Sequence, residues 1–201
     1  MQPTYCEFNF CPYCGAKLEI TLIDNKPRKT CPACPFIHWG EYSLGVGGVL
    51  LQGERGLLVQ RAHNPGKGRW TIPGGYVDQN EKMEKAVVRE VLEETGLITE
   101  PVSVLAVRDR PEDVPGMKHD IYIVFLLRLL GGELKFDPGE VMQAGFYSLE
   151  DCQKLENIAP LSLEMISKAL QYTREGNLAP GFIRREGIKV VGALSELYTL
   201  P

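Results

Sequence analysis

The stretch RWTIPGGYVDQNEKMEKAVVREVLEETGL, residues 69–97, contains the pattern that best predicts the fold. It predicts one helix of about four turns. Asn80 can cap a helix that begins at Glu81, and Gly96 can end it. The helix is therefore well delimited in the sequence.

The predicted helix has two faces of different character. An apolar stripe for the core recurs at positions i, i+3 and i+4, and it consists of Val88, Val91 and Leu92. Glu90, Glu93 and Glu94 recur at the same spacing on another face. Their carboxylates are therefore expected to converge on one point outside the helix.

Stability alone does not explain these glutamates. An anion near a helix C-terminus costs roughly 0.3–1 kcal/mol, and like charges at i,i+4 add a few tenths. Lys85 and Arg89 can offset part of this cost, and a solvated acidic face would explain one or two of the glutamates. A divalent cation would convert the repulsion into coordination, because hard ions prefer carboxylate oxygens. The segment thus predicts a metal site.

The same segment resembles the conserved box of the Nudix hydrolase family. The matching positions are Gly75, Glu81, Arg89-Glu90-Val91, Glu93-Glu94 and Gly96-Leu97. The resemblance covers about residues 43–155, from the strand entering RWTIPGG to the closing strand GFYSLEDC. It implies an α/β fold, the Nudix α/β/α sandwich with a mixed sheet.

The resemblance also implies an activity and roles for individual residues. Nudix hydrolases use Mg²⁺ or Mn²⁺ and water to cleave a diphosphate linked to another moiety, usually in a nucleoside diphosphate derivative. By similarity, the metal ligands would be Glu93, Glu94 and the carbonyl of Gly75, with Glu90 as a ligand or the general base. Arg89 and Glu81 would orient this cluster.

Some family members recruit another acidic residue after the box. Our choice is Glu140 in DPGEVMQAGF, and the alternatives are Glu133, Glu112 and Asp113. Trp70 and Tyr76 lie next to the box in the sequence and could stack on a nucleotide base, although either could instead pack in the core.

Two cysteine pairs near the N-terminus predict a four-cysteine zinc site. The pairs CPYC and CPAC carry ligands two residues apart, at Cys11, Cys14, Cys31 and Cys34. The segment between the pairs predicts a short hairpin around Asp24 to Pro27. His38 is a weaker alternative ligand, and Cys6 and Cys152 have no matching partner.

We therefore expect three regions along the chain. They are a zinc ribbon over residues 1–40, a Nudix hydrolase domain over residues 42–175, and a C-terminal extension of unknown role over residues 176–201. Within the central region, SLGVGGVLLQ and GLLVQRA predict a hairpin, PVSVLAV and IYIVFLLRLL predict strands, and LSLEMISKALQYTRE predicts a helix. Residues 108–120 predict a long surface loop.

A zinc ribbon before a Nudix domain resembles the NADH pyrophosphatases and the related FAD or ADP-ribose pyrophosphatases. The SQPWPFPxS signature of NADH pyrophosphatases has no counterpart after the box, and Pro35 stands where the second cysteine pair usually has glycine. An ADP-ribose, FAD or NADH-like substrate is expected from this architecture. The competing hypothesis is a nucleotide-sensing or nucleic-acid-binding regulator, although such regulators commonly have a degraded box.

The composition argues against other classes of partner. The chain has 201 residues, 44% of them hydrophobic, and a formal net charge of −4, which offers no general attraction to nucleic acid or to an anionic membrane. No apolar run is long enough to span a membrane, and the N-terminus lacks signal-peptide features. We expect a cytoplasmic protein with a small-molecule substrate and no membrane partner, and a homodimer is compatible with the sequence.

Overall fold

The computed structural model describes residues 9–110 and 119–176, together with the backbone of two strands near the C-terminus. The chain divides into two compact units, Met1–Ser43 with Arg110–Asp120, and Leu44–Asp109 with Ile121–Pro201. No helix in the described ranges is both long and apolar enough to cross a membrane.

The first unit contains a small antiparallel sheet. Its strands are β1 (Glu19–Ile23), β2 (Lys26–Thr30) and β3 (Ile37–His38), in the order β1-β2-β3. Asp24 and Asn25 join β1 to β2 with φ angles of 50° and 61°. Two consecutive left-handed residues of this kind are typical of a type I′ hairpin turn. The predicted hairpin is thus confirmed.

The second unit is built on a larger sheet. Its strands are β4 (Tyr42–Gln52), β5 (Arg55–Arg61), β6 (Trp70–Thr71), β7 (Gly74–Tyr76), β8 (Leu97–Arg110), β9 (His119–Gly132) and β10 (Val141–Ser148). The main order is β10-β5-β4-β9-β8, with β6 paired to β5 and β7 paired to β4. The predicted hairpin between β4 and β5 is confirmed, with Gln52 opposite Arg55 across a two-residue turn.

Helices cover both faces of this sheet. They are α1 (Met83–Thr95), α2 (Leu149–Lys154) and α3 (Pro160–Arg174). Alternate residues of β9 enter two separate cores: Phe125 packs with Val91 of α1, whereas Val124 packs in the cluster that contains Ile166 of α3. This alternation is what a strand buried on both faces requires. The expected α/β/α sandwich with a mixed sheet is confirmed.

The start of α1 differs from the expectation. The helix begins at Met83 and its N-cap position is Lys82, whose side chain makes no capping hydrogen bond. Asn80 instead adopts a left-handed conformation with φ of 66° in the turn before the helix. Glu81 therefore precedes the helix. Gly96 ends α1 as expected, with φ of 71° and its N–H bonded to the carbonyl of Leu92.

The predicted apolar stripe of α1 is wrong at Leu92, which is 47% exposed. The helix instead buries Ala86, Val87, Val91 and Thr95, while Val88 is only partly buried. Leu92 and Glu94 are two residues apart, so their side chains point about 160° apart around the helix axis. Turning Glu94 toward the sheet therefore turns Leu92 toward solvent.

One other expectation changed, at the ends of two strands. The ends of the predicted loop over residues 108–120 belong to strands, because β8 continues to Arg110 and β9 begins at His119, and residues 111–118 lie outside the described part of the chain. Glu112 and Asp113 lie outside the described residues, as does Cys6. Near the C-terminus, β11 (Ile183–Val190) pairs with β12 (Ala193–Thr199) as an antiparallel two-stranded sheet that the sequence analysis did not anticipate.

Candidate functional site

Two glycines bring the backbone of β7 against the acidic face of α1. Gly75 lies opposite Val46 of β4, and a Cβ atom added to Gly75 would overlap the carboxylate of Glu90. Gly74 has φ of 155° and lies so close to the carbonyl of Val46 that any side chain would overlap it. A larger residue at Gly75 would push α1 away from β7, and one at Gly74 would push β7 away from β4. The glycines thus allow a carboxylate to lie directly on bare backbone.

Arg89 ties the parts of this site together. Its Nε and Nη2 donate to the two carboxylate oxygens of Glu81 at 2.9 and 2.8 Å. Its Nη1 donates to Glu90 at 2.8 Å and to Glu93 at 3.1 Å, and Nη2 also donates to the carbonyl of Tyr76 at 3.1 Å. The planar guanidinium therefore fixes three carboxylates relative to β7.

Glu81 accepts hydrogen bonds from backbone as well as from this arginine. One of its oxygens also accepts the backbone N–H of Asp78 at 3.2 Å. The hydrogen bond from Arg89 is the main reason that the pKa of Glu81 lies below its usual range. Both oxygens of Glu81 are thus occupied within the protein. This geometry suits a residue that orients Arg89.

Glu94 accepts a hydrogen bond from the backbone of β7. The N–H of Gly74 donates to Glu94 Oε2 at 2.8 Å. The pKa of Glu94 is nevertheless raised to about 7, chiefly by burial and also by the negative charges of Glu90 and Glu140, against the opposing effects of Gly74 and Arg61. The metal-free site therefore holds Glu94 partly protonated at neutral pH.

Glu90 shows the same tendency. Burial raises its pKa above the usual range, even though Arg89 stabilises its ionised form. Glu93 differs because its side chain is 51% exposed, against 16% for Glu90. The structure thus brings together two shielded carboxylates and one that faces solvent, beside the backbone of Gly75.

Among the described acids after the box, Glu140 is the one whose charge acts on Glu94. Its backbone carbonyl accepts the N–H of Ala62 at 3.0 Å. The backbone carbonyl of Glu133 lies beside Gly96, the residue that ends α1. The charge effect on Glu94 supports Glu140 as the additional acid, and this assignment stays a prediction.

The two aromatic candidates differ in exposure. Trp70 is 5% exposed, and its ring meets that of Tyr147 edge-on at 5.1 Å within the core. Of the two roles left open for Trp70, core packing is therefore the one that the structure shows, because the indole already has a packing partner. Tyr76 is 68% exposed and remains a candidate for contact with a ligand.

Sequence reasoning missed Tyr122 of β9. Its ring covers Gly45 and Gly47 of β4, and the guanidinium carbon of Arg108 lies 4.9 Å from the ring centroid. Burial raises the pKa of Tyr122, and the charge of Glu94 adds to this effect. The available signal was the pair of alternating glycines in β4, which leaves one face of an apolar strand without side chains.

The four predicted cysteine ligands form one cluster. Their sulfur atoms all lie within 4.8 Å of one another, with Cys11 and Cys34 at 3.5 Å and Cys14 and Cys31 at 3.4 Å. These distances are too long for disulfides. They are close to the ~3.8 Å edge of a tetrahedron with ~2.3 Å metal–sulfur bonds. His38 belongs to β3, and the cluster of thiols forms without it.

Comparison with known proteins agrees with this geometry. Residues 41–169 match the NUDIX domain family, and residues 9–39 match the family described as Nudix N-terminal, a zinc ribbon. The chain is 42% identical over 113 residues to the ADP-ribose pyrophosphatase of Methanocaldococcus jannaschii, covering 56% of this chain and 66% of the relative.

Two further comparisons extend the match. The NAD-capped RNA hydrolase NudC of Pectobacterium carotovorum subsp. carotovorum is 29% identical over 152 residues, covering 75% of this chain and 55% of the relative. The chain thus spans about half to two thirds of the length of these curated relatives. A NUDIX hydrolase from Nitrosomonas europaea has a TM-score of 0.69 at 26% identity, covering 85% of this chain and 95% of that structure. The chain belongs to the Nudix hydrolase family and carries the N-terminal zinc-ribbon module of that family.

Proposed function

We propose that the protein is a Mg²⁺- or Mn²⁺-dependent hydrolase that cleaves the pyrophosphate of a nucleoside diphosphate linked to another moiety. The observation that carries this proposal is the set of carboxylates on α1 that Arg89 holds against the bare backbone of Gly75. An ADP-ribose, FAD or NADH-like substrate is favoured. The similarity to an ADP-ribose pyrophosphatase supports that preference.

The residues present fit a hard divalent cation. Carboxylate and carbonyl oxygens are the ligands that Mg²⁺ and Mn²⁺ prefer, and Glu93, Glu94 and the Gly75 carbonyl would supply them. Burial is the main reason that the pKa values of Glu90 and Glu94 are raised, and the neighbouring carboxylates add to it, so a bound cation would favour the ionised form of both. When bound, the ion would neutralise pyrophosphate oxygens and acidify a water molecule.

The protein's own groups would keep this arrangement rigid during the reaction. Arg89 fixes Glu90 and Glu93, and the N–H of Gly74 fixes Glu94. Phosphoryl transfer depends mainly on such positioning and on charge stabilisation. Arg89 occupies Oε1 of Glu90, so Oε2 is the oxygen of that residue left to bind metal or to take the proton from the attacking water. Glu140 is the second candidate for the proton acceptor.

A nucleotide-sensing or nucleic-acid-binding regulator remains the alternative. The exposed ring of Trp39, with Arg28 5.5 Å from its centroid, is the type of surface that stacks on bases. The acidic site supports hydrolysis instead, because every carboxylate that the box supplies is present and oriented. Cytoplasmic location stays our prediction, since paired metal-binding cysteines are typical of reducing compartments.

The first prediction concerns zinc. We expect one structural zinc ion per chain at Cys11, Cys14, Cys31 and Cys34, measured by elemental analysis of the purified protein. Replacing Cys14 and Cys31 together by serine should abolish zinc binding, because two of the four thiolates are lost. Cys152→Ala is the matched control, since Cys152 lies buried in α2 and should leave the zinc content unchanged. Full zinc retention in the double variant would contradict the assignment.

The second prediction concerns activity. A panel of ADP-ribose, NADH, FAD, diadenosine polyphosphates, sugar nucleotides and nucleoside triphosphates should reveal hydrolysis with Mg²⁺ or Mn²⁺. Reaction in ¹⁸O-labelled water would identify the phosphorus that water attacks. Glu94→Gln should lower turnover by about 100-fold or more, because it removes a predicted ligand.

The control for this panel is Glu164→Gln on α3, where the carboxylate is exposed and pairs with Lys168. That variant should retain wild-type turnover. Hydrolysis of none of the substrates, or wild-type turnover by Glu94→Gln, would overturn the proposed function.

The third prediction concerns pH. The pKa of Glu94 is raised to about 7 in the metal-free protein, so its carboxyl is largely protonated below that pH. Metal needs the ionised form, so Mg²⁺ affinity should fall as the pH drops through about 7. Calorimetric titration in buffers of different ionisation enthalpy should show release of about one proton per ion at about pH 6 and almost none at about pH 8.5. Equal affinity and no proton release at both values would contradict this assignment.

A further inference from the structure

Two glycines of strand β4, Gly45 and Gly47, leave space for the ring of Tyr122. A Cβ atom at Gly45 would lie 2.7 Å from Tyr122 Cδ2, and one at Gly47 would overlap the Tyr122 hydroxyl. Glycine in a strand interior is less stable than alanine, because it loses more conformational freedom on folding. The two glycines thus serve a specific arrangement, since any larger residue would displace this ring.

The hydroxyl of Tyr122 lies at the acidic end of this arrangement. It is 2.9 Å from the position that a Cβ atom of Gly74 would occupy, and the N–H of Gly74 binds Glu94. Among the charges acting on Tyr122, Glu94 has the largest effect. The side chain is only half-buried, and the hydrogen bonds found among the described residues do not include its hydroxyl. A donor is therefore available next to Glu94.

Two cations accompany this donor. The guanidinium of Arg108 lies over the ring at 4.9 Å from its centroid, and Arg61 acts electrostatically on both Tyr122 and Glu94. A protonated phenol is a poor ligand for a hard cation but a good donor to an anionic oxygen. The combination of one O–H donor and two nearby cations suits a phosphate oxygen.

We propose that Tyr122 is a substrate-positioning residue whose hydroxyl donates a hydrogen bond to a non-bridging oxygen of the pyrophosphate bound at Glu90, Glu93 and Glu94. This inference rests on the proposed function. The ring is fixed by Gly45 and Gly47, so the donor is oriented before the substrate arrives. Nothing in this role requires Tyr122 to bind metal or to transfer a proton.

Tyr122→Phe tests the proposal, because phenylalanine keeps the ring on the glycines and under Arg108 and removes only the hydroxyl. The probe is α,β-methylene-ADP, whose phosphorus–carbon bridge resists cleavage, titrated calorimetrically in the presence of Mg²⁺. A hydrogen bond to a charged oxygen is lost, so the variant should bind the probe about tenfold more weakly or worse. Mg²⁺ affinity without nucleotide and the urea midpoint of unfolding should stay at the wild-type values.

Tyr147→Phe is the matched control. Tyr147 is also half-buried and lies beside a glycine, Gly145, but its ring packs on Trp70 in the core. This control should bind the probe as the wild type does. Wild-type affinity in Tyr122→Phe would overturn the inference while leaving the proposed function intact.

Weaker binding of Mg²⁺ alone by Tyr122→Phe would also overturn the inference, since it would place the hydroxyl on the carboxylates. If the wild type neither binds the probe with Mg²⁺ nor hydrolyses any substrate of the panel, the proposed function fails, and the role of Tyr122 fails with it. The two failures are therefore distinguishable by the behaviour of the wild type.

Discussion

The hydrogen bonds of Arg89 are the constraint on which the rest of the site depends. This one guanidinium connects the turn before α1, the helix itself and the backbone of β7. Without it, Glu90 and Glu93 would lie close together on one helix near the negative end of its dipole, where each charge is unfavourable. Arg89 offsets that cost and also sets where the carboxylates point. Arg89 donates to both oxygens of Glu81, and the Asp78 N–H donates to one of them. Moving Arg89 away from the cluster would therefore remove the cation that pairs with the Glu81 carboxylate.

The second constraint is the absence of side chains where backbone and carboxylates meet. Gly75 allows α1 to approach β7, Gly74 allows β7 to approach β4, and Gly45 and Gly47 allow Tyr122 to lie across β4. These positions lower local propensity for strand and leave no side chain to pack. A sheet that surrounds them with Phe125, Val46 and Leu57 supplies the rigidity that they lack. The site thus combines glycines with a close-packed sheet, and its carboxylates lie on a helix rather than on exposed loops.

Much of this arrangement could be predicted from the sequence, and the exceptions have physical causes. The four cysteines and the box glutamates are identified by spacing alone, since tight turns and helical periodicity fix their geometry locally. The exposure of Leu92, and the choice between core packing and base stacking for Trp70, could not be predicted in this way, because both depend on how α1 and β6 pack against other elements. Asn80 was misassigned since asparagine favours both caps and left-handed turns. Tyr122 was missed because a tyrosine in a buried strand is ordinarily a core residue.

The central claim is that the carboxylates fixed by Arg89 and Gly74 hold a divalent cation beside the Gly75 carbonyl. Anomalous diffraction from crystals grown with Mn²⁺ and α,β-methylene-ADP tests it most directly. The account predicts an anomalous peak at roughly 2.0–2.3 Å from carboxylate oxygens of Glu93 and Glu94, with diphosphate oxygens completing the coordination. A bound nucleotide with no peak at these glutamates, or a peak held by other residues, would contradict it.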